Sequence, residues 1–484
     1  MRYHSTRSHT PEVSAMRAIL NGAAPDGGLY VPAHMPQIDL PSLARLSYPE
    51  VAGQLLHAFL PDFDQADLQA AVNQAYAAFD TPAVAPLARV GNTWVLELFH
   101  GPTAAFKDIA LQTLPRLMAQ ARRQLTPDTA YLVLTATSGD TGSAAMRGFA
   151  DIDGFSVLVY YPSAGISQVQ QAQMMRMPGA NLAAIGIRGN FDDAQAAVKT
   201  AFLQGEALTG KRLALSSANS INIGRLIPQV VYYIKACQEL RDKKALLPGQ
   251  AVDFIVPTGN FGDILAGYLA KRLGCPIGRL VCASNANRVL TVFLQTGLYD
   301  KNRQLVQTLS PSMDILISSN LERLLYYALE EDTQQVNSLM ADLRQQGRYQ
   351  LDKKPLEYIQ EHFLGASVTD EQTKAAIRTV FDEHGYLMDP HTACAWAAQS
   401  ALPDTSNPRV VLATASPFKF PETIISALHL PVPDTLEGMW QAISDVSRQA
   451  LPAALRAVMD WPIRHTALVD KTEILKDIQR RTKP

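Results

Sequence analysis

Residues 131–145 read YLVLTATSGDTGSAA, an apolar run that leads through a glycine loop into a stretch of small residues. The apolar run has the length of a buried strand, and the residues after the glycines open a helix. The same order recurs at residues 252–267, which read VDFIVPTGNFGDILAG. A strand followed directly by a helix is the repeating unit of α/β folds, so these two stretches predict the fold class.

The alternation continues along the chain from residue 94. Short apolar runs alternate with amphipathic stretches of helical length, which predicts mainly parallel sheets covered by helices on both faces. Ligands bind beyond the carboxyl ends of such strands, so a site is expected in the loops that follow them. The predicted strands are 94–98, 131–136, 156–161, 181–187, 212–217, 252–257, 279–284 and 409–415.

The two ends of the chain differ from this pattern. Residues 1–90 combine turn signals with strand and helix patterns, whereas residues 421–484 read as helical, as does most of 321–384. We therefore expect three parts: a mixed α/β segment over 1–90, an α/β region over 91–420 and a helical C-terminal segment over 421–484.

Composition limits the classes of function. The chain has 484 residues, 47% of them hydrophobic and 18% charged. At about 150 residues per domain, this length predicts two or three units with a large core. Lys and Arg total 43 against 45 Asp and Glu, so the net charge is −2. This balance predicts neither a nucleic-acid partner nor an anionic membrane surface.

Cysteine usage and hydropathy bear on the compartment. The four cysteines form no Cys-x-x-Cys pair, so we expect no metal site and a reduced, cytoplasmic chain. The apolar runs fall short of the ~18–20 residues of a membrane span. Residues 1–10 lack the apolar core of a secretory signal.

The two glycine loops are candidate anion sites. Glycine lets backbone N–H groups approach an anion closely, and a helix N-terminus adds about half a positive charge. Neither loop fits the G-x-G-x-x-G dinucleotide pattern or the G-x-x-x-x-G-K-[ST] pattern of P-loops. Either loop alone could equally be a plain strand-to-helix turn. Asp263 is expected to cap the helix after its loop, whereas for Asp140 that role stays open.

Lys107 is the candidate nucleophile. It ends the uncharged loop of FHGPTAAFKDIALQ (99–112), just where a helix begins. Loss of hydration among apolar neighbours lowers the pKa of a lysine and frees its amine to form a Schiff base with an aldehyde. An aldehyde that also carries a phosphate would need a glycine cradle elsewhere, and pyridoxal phosphate meets both demands. The alternative is a helix-start lysine whose amine reaches water.

Several motifs, in this order, resemble those of the threonine synthase family. They are YHSTR (3–7), APDGGLYVP (24–32), ELFHGPTAAFKD (97–108), TATSGDTG (135–142), SSANSINIGRL (216–226), VPTGNFGD (256–263) and ATASPFKF (413–420). The resemblance covers essentially the whole chain. It implies the fold-type-II pyridoxal-phosphate architecture, with two α/β lobes and the cofactor between them. It also implies conversion of O-phospho-L-homoserine and water to L-threonine and phosphate, the last step of threonine biosynthesis, by a monomer or homodimer.

The resemblance also implies roles for single residues. Lys107 would hold the cofactor as a Schiff base and act as general base. Thr414 would meet the pyridine nitrogen. The loop of Gly259, Asn260, Phe261 and Gly262 would cradle the cofactor phosphate, and Asp263 would close it. The substrate carboxylate would lie beside Ser138, Gly139, Asp140 and Thr141. At the position of Asp140 many relatives of this fold type carry Asn, whereas the longer-chain synthases commonly carry Asp.

The substrate's own phosphate needs a separate site. Our candidates are Asn219, Ser220, Asn222 and Arg225. Asn222 and Arg225 are three residues apart and would share a helix face, and arginine binds phosphate in a bidentate manner. The alternative is a helix cap followed by a surface arginine. A second choice is Asn320 with Arg323.

Two histidines are expected to play supporting roles. We expect His391 to be a helix-start histidine bonded to backbone, unconnected with the pocket. His100 is expected to pack near Lys107 or to support it.

Two other functions stay open. A phospho-lyase of the same family would release 2-ketobutyrate from the same kind of substrate. A homologue that binds pyridoxal phosphate or amino acids without catalysis would use the same fold, but the intact Lys107 argues against it.

Overall fold

The computed structural model describes residues 1–205 and 213–482. The strands, in chain order, are β1 (Arg2–Ser5), β2 (Ser8–Ser14), β3 (Tyr30–Pro32), β4 (Leu87–Val90), β5 (Thr93–Glu97), β6 (Ala130–Ala136), β7 (Phe155–Pro162), β8 (Leu182–Arg188), β9 (Leu213–Ser216), β10 (Val252–Pro257), β11 (Ile277–Ser284), β12 (Leu298–Asp300), β13 (Arg348–Gln350), β14 (Phe363–Ser367), β15 (Arg409–Ala413) and β16 (Leu468–Asp470).

The helices, in the same order, are α1 (Ala15–Asn21), α2 (Tyr48–Phe59), α3 (Gln65–Tyr76), α4 (Lys107–Leu111), α5 (Leu114–Leu125), α6 (Asp140–Phe149), α7 (Gln168–Arg176), α8 (Phe191–Gln204), α9 (Ile223–Asp242), α10 (Gly262–Arg272), α11 (Val289–Thr296), α12 (Leu321–Ala328), α13 (Thr333–Gln345), α14 (Lys353–His362), α15 (Asp370–His384), α16 (Pro390–Ala398), α17 (Pro421–Ala427), α18 (Leu436–Ser447), α19 (Ala453–Asp460) and α20 (Ile474–Thr482). Within the described ranges, no helix has both the length and the apolar character that crossing a bilayer requires.

Two mainly parallel sheets form the frame of the molecule. The six-stranded sheet has the order β14-β11-β10-β15-β5-β4, with only the β4–β5 pair antiparallel. The five-stranded sheet, β16-β8-β7-β6-β9, is parallel throughout. We call the six-stranded sheet with its helices the large lobe, and the five-stranded sheet with its helices the small lobe. The predicted α/β class with two lobes is confirmed.

All eight predicted strands are present. Their ends agree with the prediction to within two residues, except that residue 212 of the predicted 212–217 strand lies outside the described residues. The prediction that 321–384 is mainly helical is right for α12 to α15 but misses β13 and β14. Strand β14 lacks a clear strand pattern because it contains Gly365. A Cβ there would lie 2.9 Å from the Thr291 backbone, so this strand packs too closely for a side chain.

The N-terminal segment packs on the large lobe. Its antiparallel sheet, β2-β1-β3, and helices α1 to α3 share one hydrophobic core with α9 and α12. The Arg7 guanidinium donates to both oxygens of Glu322 on α12. The Tyr3 hydroxyl donates to the Phe59 carbonyl at 2.8 Å. Arg7 therefore fixes the start of the segment to α12, and Tyr3 joins two parts of the segment to each other.

The C-terminal segment contacts both lobes. On the large lobe, the Trp440 indole of α18 donates to the Phe418 carbonyl at 2.8 Å. On the small lobe, β16 extends the sheet beside β8, and Ile474 and Ile478 of α20 join the core beneath α8. The Tyr160 hydroxyl of β7 donates to Asp477 at 2.8 Å.

Candidate active site

The loops after strands of both lobes meet at one cleft. Those after β5 and β15 come from the large lobe and those after β6 and β9 from the small lobe, while the loop after β10 forms the floor. The cleft encloses about 1280 Å³ out to its open mouth. Of the residues singled out in the sequence, those lining it are Lys107, Ser138, Asp140, Thr141, Asn219, Ser220, Arg225, Gly259, Asn260, Phe261, Gly262, Asp263, His391 and Thr414.

Lys107 is a buried lysine at the centre of this cleft. It is the first residue of α4 and is 9% exposed. Its Nζ lies 3.3 Å from Asp140 Oδ2 and 4.6 Å from the centre of the Phe106 ring. Burial lowers the pKa of Lys107, Asp140 opposes this effect, and the Lys419 and Arg225 cations add to it. A depressed pKa raises the neutral, nucleophilic fraction of the amine.

The loop of 259–262 is shaped as an anion cradle. Phe261 adopts a left-handed conformation with φ of 61°, and α10 begins at the next residue, so the first-turn N–H groups have no intrahelical acceptor. A Cβ on Gly259 would lie 2.6 Å from the Ser312 carbonyl. From behind, Ser318 Oγ donates to the Gly259 carbonyl at 2.8 Å. Bare backbone therefore faces the cleft and is held rigidly.

Asp263 does not cap its helix, contrary to the prediction. The N-cap residue of α10 is Phe261, two residues earlier, so the Asp263 carboxylate does not cap the helix. Its Oδ1 accepts from the Tyr232 hydroxyl at 2.5 Å and from the Tyr233 hydroxyl at 2.9 Å. Burial raises the pKa of Asp263 to about 6, against the effect of these hydrogen bonds and of Lys107. Its Oδ2 has no partner within the described part of the chain.

Thr414 follows β15 and lines the cleft next to the lysine loop. Its carbonyl accepts from the Phe106 N–H at 2.8 Å, and Ala105 pairs with Ala415 in an isolated bridge. The loop that carries Lys107 is therefore fixed to the end of β15.

Asp140 forms an ionic network with two lysines. It is the first residue of α6, whose cap is Gly139, so its side chain does not fill the cap position that the sequence left open. Its Oδ1 lies 2.8 Å from Lys419 Nζ and accepts from Gln170 Nε2 at 2.9 Å. Although burial opposes it, the two ammonium groups hold the pKa of Asp140 well below its usual range.

Gly139 lies behind this network and is not among the residues that line the cleft. It has φ of 132°, and a Cβ there would lie 2.4 Å from the Gln170 amide. Only glycine allows this close approach.

Arg225 is the charged one of the three phosphate candidates that line the cleft, with Asn219 and Ser220. It is buried, its Nη1 donates to the Ala218 carbonyl at 2.6 Å, and burial lowers its pKa to about 10. Its Nε and the Oδ1 of Asn219 are buried and have no partner among the described residues. The guanidinium therefore keeps a donor for a ligand.

Asn222, another phosphate candidate, does not line the cleft. It caps α9: Oδ1 accepts from the Gly224 N–H, and Nδ2 donates to the carbonyls of Ile19 and Ser217. Its side-chain amide therefore bonds to backbone groups, which agrees with the helix-cap alternative.

The second choice, Asn320 with Arg323, lies outside the cleft lining. The Arg323 guanidinium donates to the carbonyls of Tyr30 and Ile221 and to the Asn320 side chain. It joins the N-terminal segment to α12, and neither residue lines the cleft.

The two histidines differ in position. His391 is bonded to backbone near a helix start, as predicted, because its Nε2 accepts from the Ser312 N–H at 3.2 Å; its Nδ1 lies 2.8 Å from Asp389 Oδ1. It nevertheless lines the cleft, contrary to the prediction. His100 lies between Asp80 and Glu97, at 2.6 and 3.0 Å, away from the cleft lining.

Two lysines escaped the analysis of sequence. Lys419 lies in ATASPFKF, but nothing local marks its carboxylate partner. Lys199 lies on the face of α8 that lines the cleft, and the helical spacing of residues 191–202 is the signal that could have found it. That face consists of Phe191, Gln195, Val198, Lys199 and Phe202.

This set of groups fits pyridoxal phosphate. A buried amine of lowered pKa suits its aldehyde, and the bare backbone at the start of α10 suits its phosphate. The unpartnered Oδ2 of Asp263 and Nε of Arg225 leave polar groups for ligands in an otherwise closed interior. Fold and site together define a pyridoxal-phosphate-dependent enzyme of fold type II.

Comparisons with known proteins identify the family. The model "Threonine synthase N terminus" matches residues 2–76, "Pyridoxal-phosphate dependent enzyme" matches 79–416, and "Threonine synthase, C-terminal" matches 392–478. The chain belongs to the threonine synthase family, and it is a lyase whose cofactor is pyridoxal 5′-phosphate.

Its relatives span bacteria and eukaryotes. The threonine synthase of Pseudomonas aeruginosa is 41% identical over 97% of this chain and 96% of its own length. Human threonine synthase-like 1 is 38% identical over 97% of this chain, which spans 65% of that longer protein. Among solved structures, pyridoxal-phosphate-bound threonine synthase from Brucella melitensis has a TM-score of 0.88 at 39% identity over the whole of both chains. The Escherichia coli threonine synthase has a TM-score of 0.78 at 30% identity over 99% of this chain and all of that one.

Proposed function

We propose that the protein converts O-phospho-L-homoserine and water to L-threonine and phosphate. The observation that carries this is Arg225, a buried cation with an unpartnered donor in the same cleft as Lys107 and the glycine cradle. A cofactor with one phosphate accounts for the cradle. The arginine then supports a second anion, which belongs to the substrate. The similar proteins from Pseudomonas aeruginosa and Brucella melitensis are named threonine synthase, which agrees with this reaction.

The cofactor and the protein divide the work. When bound, pyridoxal phosphate supplies an electron sink that stabilises negative charge on the carbon beside the substrate amine. The protein supplies Lys107, whose amine removes and returns the proton at that carbon as general base. Its lowered pKa favours the neutral form that this step needs. Thr414, which lines the same cleft, would offer a neutral hydroxyl to the pyridine nitrogen.

The remaining lining residues orient the substrate. We assign its carboxylate to Ser138 and Thr141 at the start of α6, where the helix N-terminus favours an anion. We assign its phosphate to Arg225 with Asn219 and Ser220. These two anchors hold the substrate at both ends, so the carbons between them lie next to Lys107 and solvent is displaced from the cleft.

Product analysis tests the reaction. Purified holoenzyme is incubated with O-phospho-L-homoserine, and L-threonine, phosphate and 2-ketobutyrate are measured. We expect threonine and phosphate in equal amounts and none from Lys107→Ala. We expect Arg225→Met to raise the KM for the substrate at least about 10-fold, because one charge-assisted phosphate contact is lost.

Two results would overturn the proposal. If 2-ketobutyrate is the main product, the protein is a phospho-lyase of the same family. If wild type releases no phosphate while the cofactor is bound, the site serves binding alone.

A further inference from the structure

Lys419 is a second buried lysine, and it shares the Asp140 carboxylate with Lys107. Lys419 ends the short turn Pro417–Lys419 after β15 and is 0% exposed. Its Nζ lies 2.8 Å from Asp140 Oδ1 and donates to the Thr103 carbonyl at 2.8 Å. Nothing in the proposed reaction uses it, although the desolvation of an ammonium is costly.

The carboxylate between the two lysines is saturated with donors. Asp140 Oδ1 faces Lys419 and accepts from Gln170 Nε2 at 2.9 Å. Its Oδ2 faces Lys107 and accepts from Ser312 Oγ at 3.4 Å. The two ammonium groups and the Gln170 amide face it as donors, so the arrangement suits an ionised carboxylate. Each lysine occupies one oxygen.

We propose that Lys419 is a positioning residue that acts through Asp140: its ammonium keeps that carboxylate ionised and fixed against Lys107, and so sets the proton affinity of the amine that holds the cofactor. The proposal rests on the assignment of Lys107 to the cofactor. It also accounts for an acidic residue beside a site that must take up two phosphates: because Lys419 neutralises Asp140, the carboxylate does not repel them.

Other charged groups face the same amine. Arg225 on α9 and Asp263 on α10 act on Lys107 from the remaining sides. Asp108, one residue after Lys107, accepts from the Thr103 N–H and hydroxyl and feels the Lys419 charge. Arg225 and Asp263 stay unchanged when Asp140 and Lys419 are varied, whereas Lys419→Met also removes the Lys419 charge from Asp108 and from Lys107, so the effect of the pair is read from the single and double variants together.

Charge-neutral replacement of the pair tests the proposal. We would titrate the visible absorbance of the purified, cofactor-loaded protein with pH in wild type, Asp140→Asn, Lys419→Met and the double variant. Asp140→Asn leaves the Lys419 ammonium unpaired, so the pH at the midpoint of the absorbance titration should fall by about one unit or more. Lys419→Met leaves an unpaired carboxylate, so the midpoint should rise. The double variant should return close to the wild-type midpoint.

Lys419→Arg is the matched control, because it keeps the charge and should hold the wild-type midpoint. A purely structural lysine predicts a different pattern, in which both single changes weaken cofactor binding and the double variant is at least as impaired. The proposal is overturned if Lys419→Met leaves the midpoint unchanged or moves it in the same direction as Asp140→Asn. If Lys419→Met does not fold, the double variant decides, since its midpoint must lie between those of Asp140→Asn and wild type.

The two proposals fail separately. A wild type that makes threonine but shows no opposed shifts overturns only the role of Lys419. A protein whose visible band persists in Lys107→Ala overturns the assignment of the cofactor lysine, and with it the basis of both.

Discussion

At the scale of single residues, the cleft concentrates buried charge. Three cations, Lys107, Arg225 and Lys419, lie near the carboxylates of Asp108, Asp140 and Asp263. Buried charges destabilise a fold unless they are paired, so the Nε of Arg225, which has no partner among the described residues, points to an anion from outside. This donor suits the phosphate of the proposed substrate.

Asp263 makes a prediction about stability and pH. Burial raises its folded pKa to about 6, above the ordinary value of about 3.9. Its contribution to stability is therefore fully present below pH ~4 and is lost as the pH rises through about 6. Relative to Asp263→Asn, whose amide still accepts from the tyrosine hydroxyls, the unfolding free energy of wild-type apoprotein should fall by about 3 kcal/mol between about pH 4 and pH 8.

Urea unfolding of both apoproteins at several pH values measures this difference. Asp404→Asn, which changes an exposed carboxylate, is the control and should show a nearly constant difference. A constant difference for Asp263→Asn as well would show that this carboxyl does not change its protonation on folding in that range.

What the sequence revealed about single residues depended on local signals. Lys107 stood out because it ends a loop that carries no charge, just where a helix begins. Lys419 did not, because its partner Asp140 lies in the other lobe, far away in the chain. Asn222 and Arg225 were placed on one helix face, but Asn222 is the cap of that helix, and a cap residue uses its side chain on the backbone.

At the scale of elements, the start of α10 sets the shape of the cradle. A Cβ at Gly259 would meet the backbone carbonyl of Ser312 at 2.6 Å, and this carbonyl belongs to the turn Pro311–Met313. At Gly262 a Cβ would meet only side-chain atoms, Asn320 Nδ2 at 3.3 Å and Ser220 Cβ at 3.4 Å. Backbone moves less readily than side chains, so the two glycines should tolerate alanine differently.

Gly259→Ala should therefore raise the dissociation constant of pyridoxal phosphate by about 10-fold or more, since a displaced cradle misdirects its N–H groups. Gly262→Ala should have a smaller effect. Equilibrium dialysis of the cofactor, with circular dichroism as a check on folding, measures both. Equal losses, or a larger one at Gly262, would contradict this ranking of the two positions.

The elements that the sequence predicted and those it missed differ in burial. The central strands are continuous apolar runs, and all of them were found. The strands missed after residue 90, β12, β13, β14 and β16, have three to five residues each, and they lie in a two-stranded pair or at sheet edges. Such strands owe their conformation to a neighbour, which one stretch of sequence does not show.

At the scale of the whole molecule, the C-terminal segment links the two lobes. Its first part packs on the large lobe through Trp440. Its last part completes the small-lobe sheet with β16 and covers it with α20. The sequence predicted a helical segment here, but it did not predict that the segment contacts two lobes. A helical pattern shows which residues are apolar and does not show which sheet they pack against.

Ile474 tests whether this segment stabilises the small lobe locally. Its side chain is fully buried in the cluster formed by α8, α20 and the five-stranded sheet. Ile474→Ala should lower the unfolding free energy by about 2–5 kcal/mol, because it removes buried apolar surface and leaves a cavity. If the lobes are separate units of stability, amide exchange should rise in β7 and β8 and stay unchanged in α18.

Hydrogen exchange with mass spectrometry follows both regions in one experiment, and Lys476→Ala, an exposed change on the same helix, should alter neither. The Asp140 loop begins where β6 of this sheet ends. A looser small lobe should therefore also weaken cofactor binding, since the carboxylate beside Lys107 is carried by that lobe. Exchange that rises equally in α18 would instead show that the two lobes unfold as one, with the C-terminal segment as their common support.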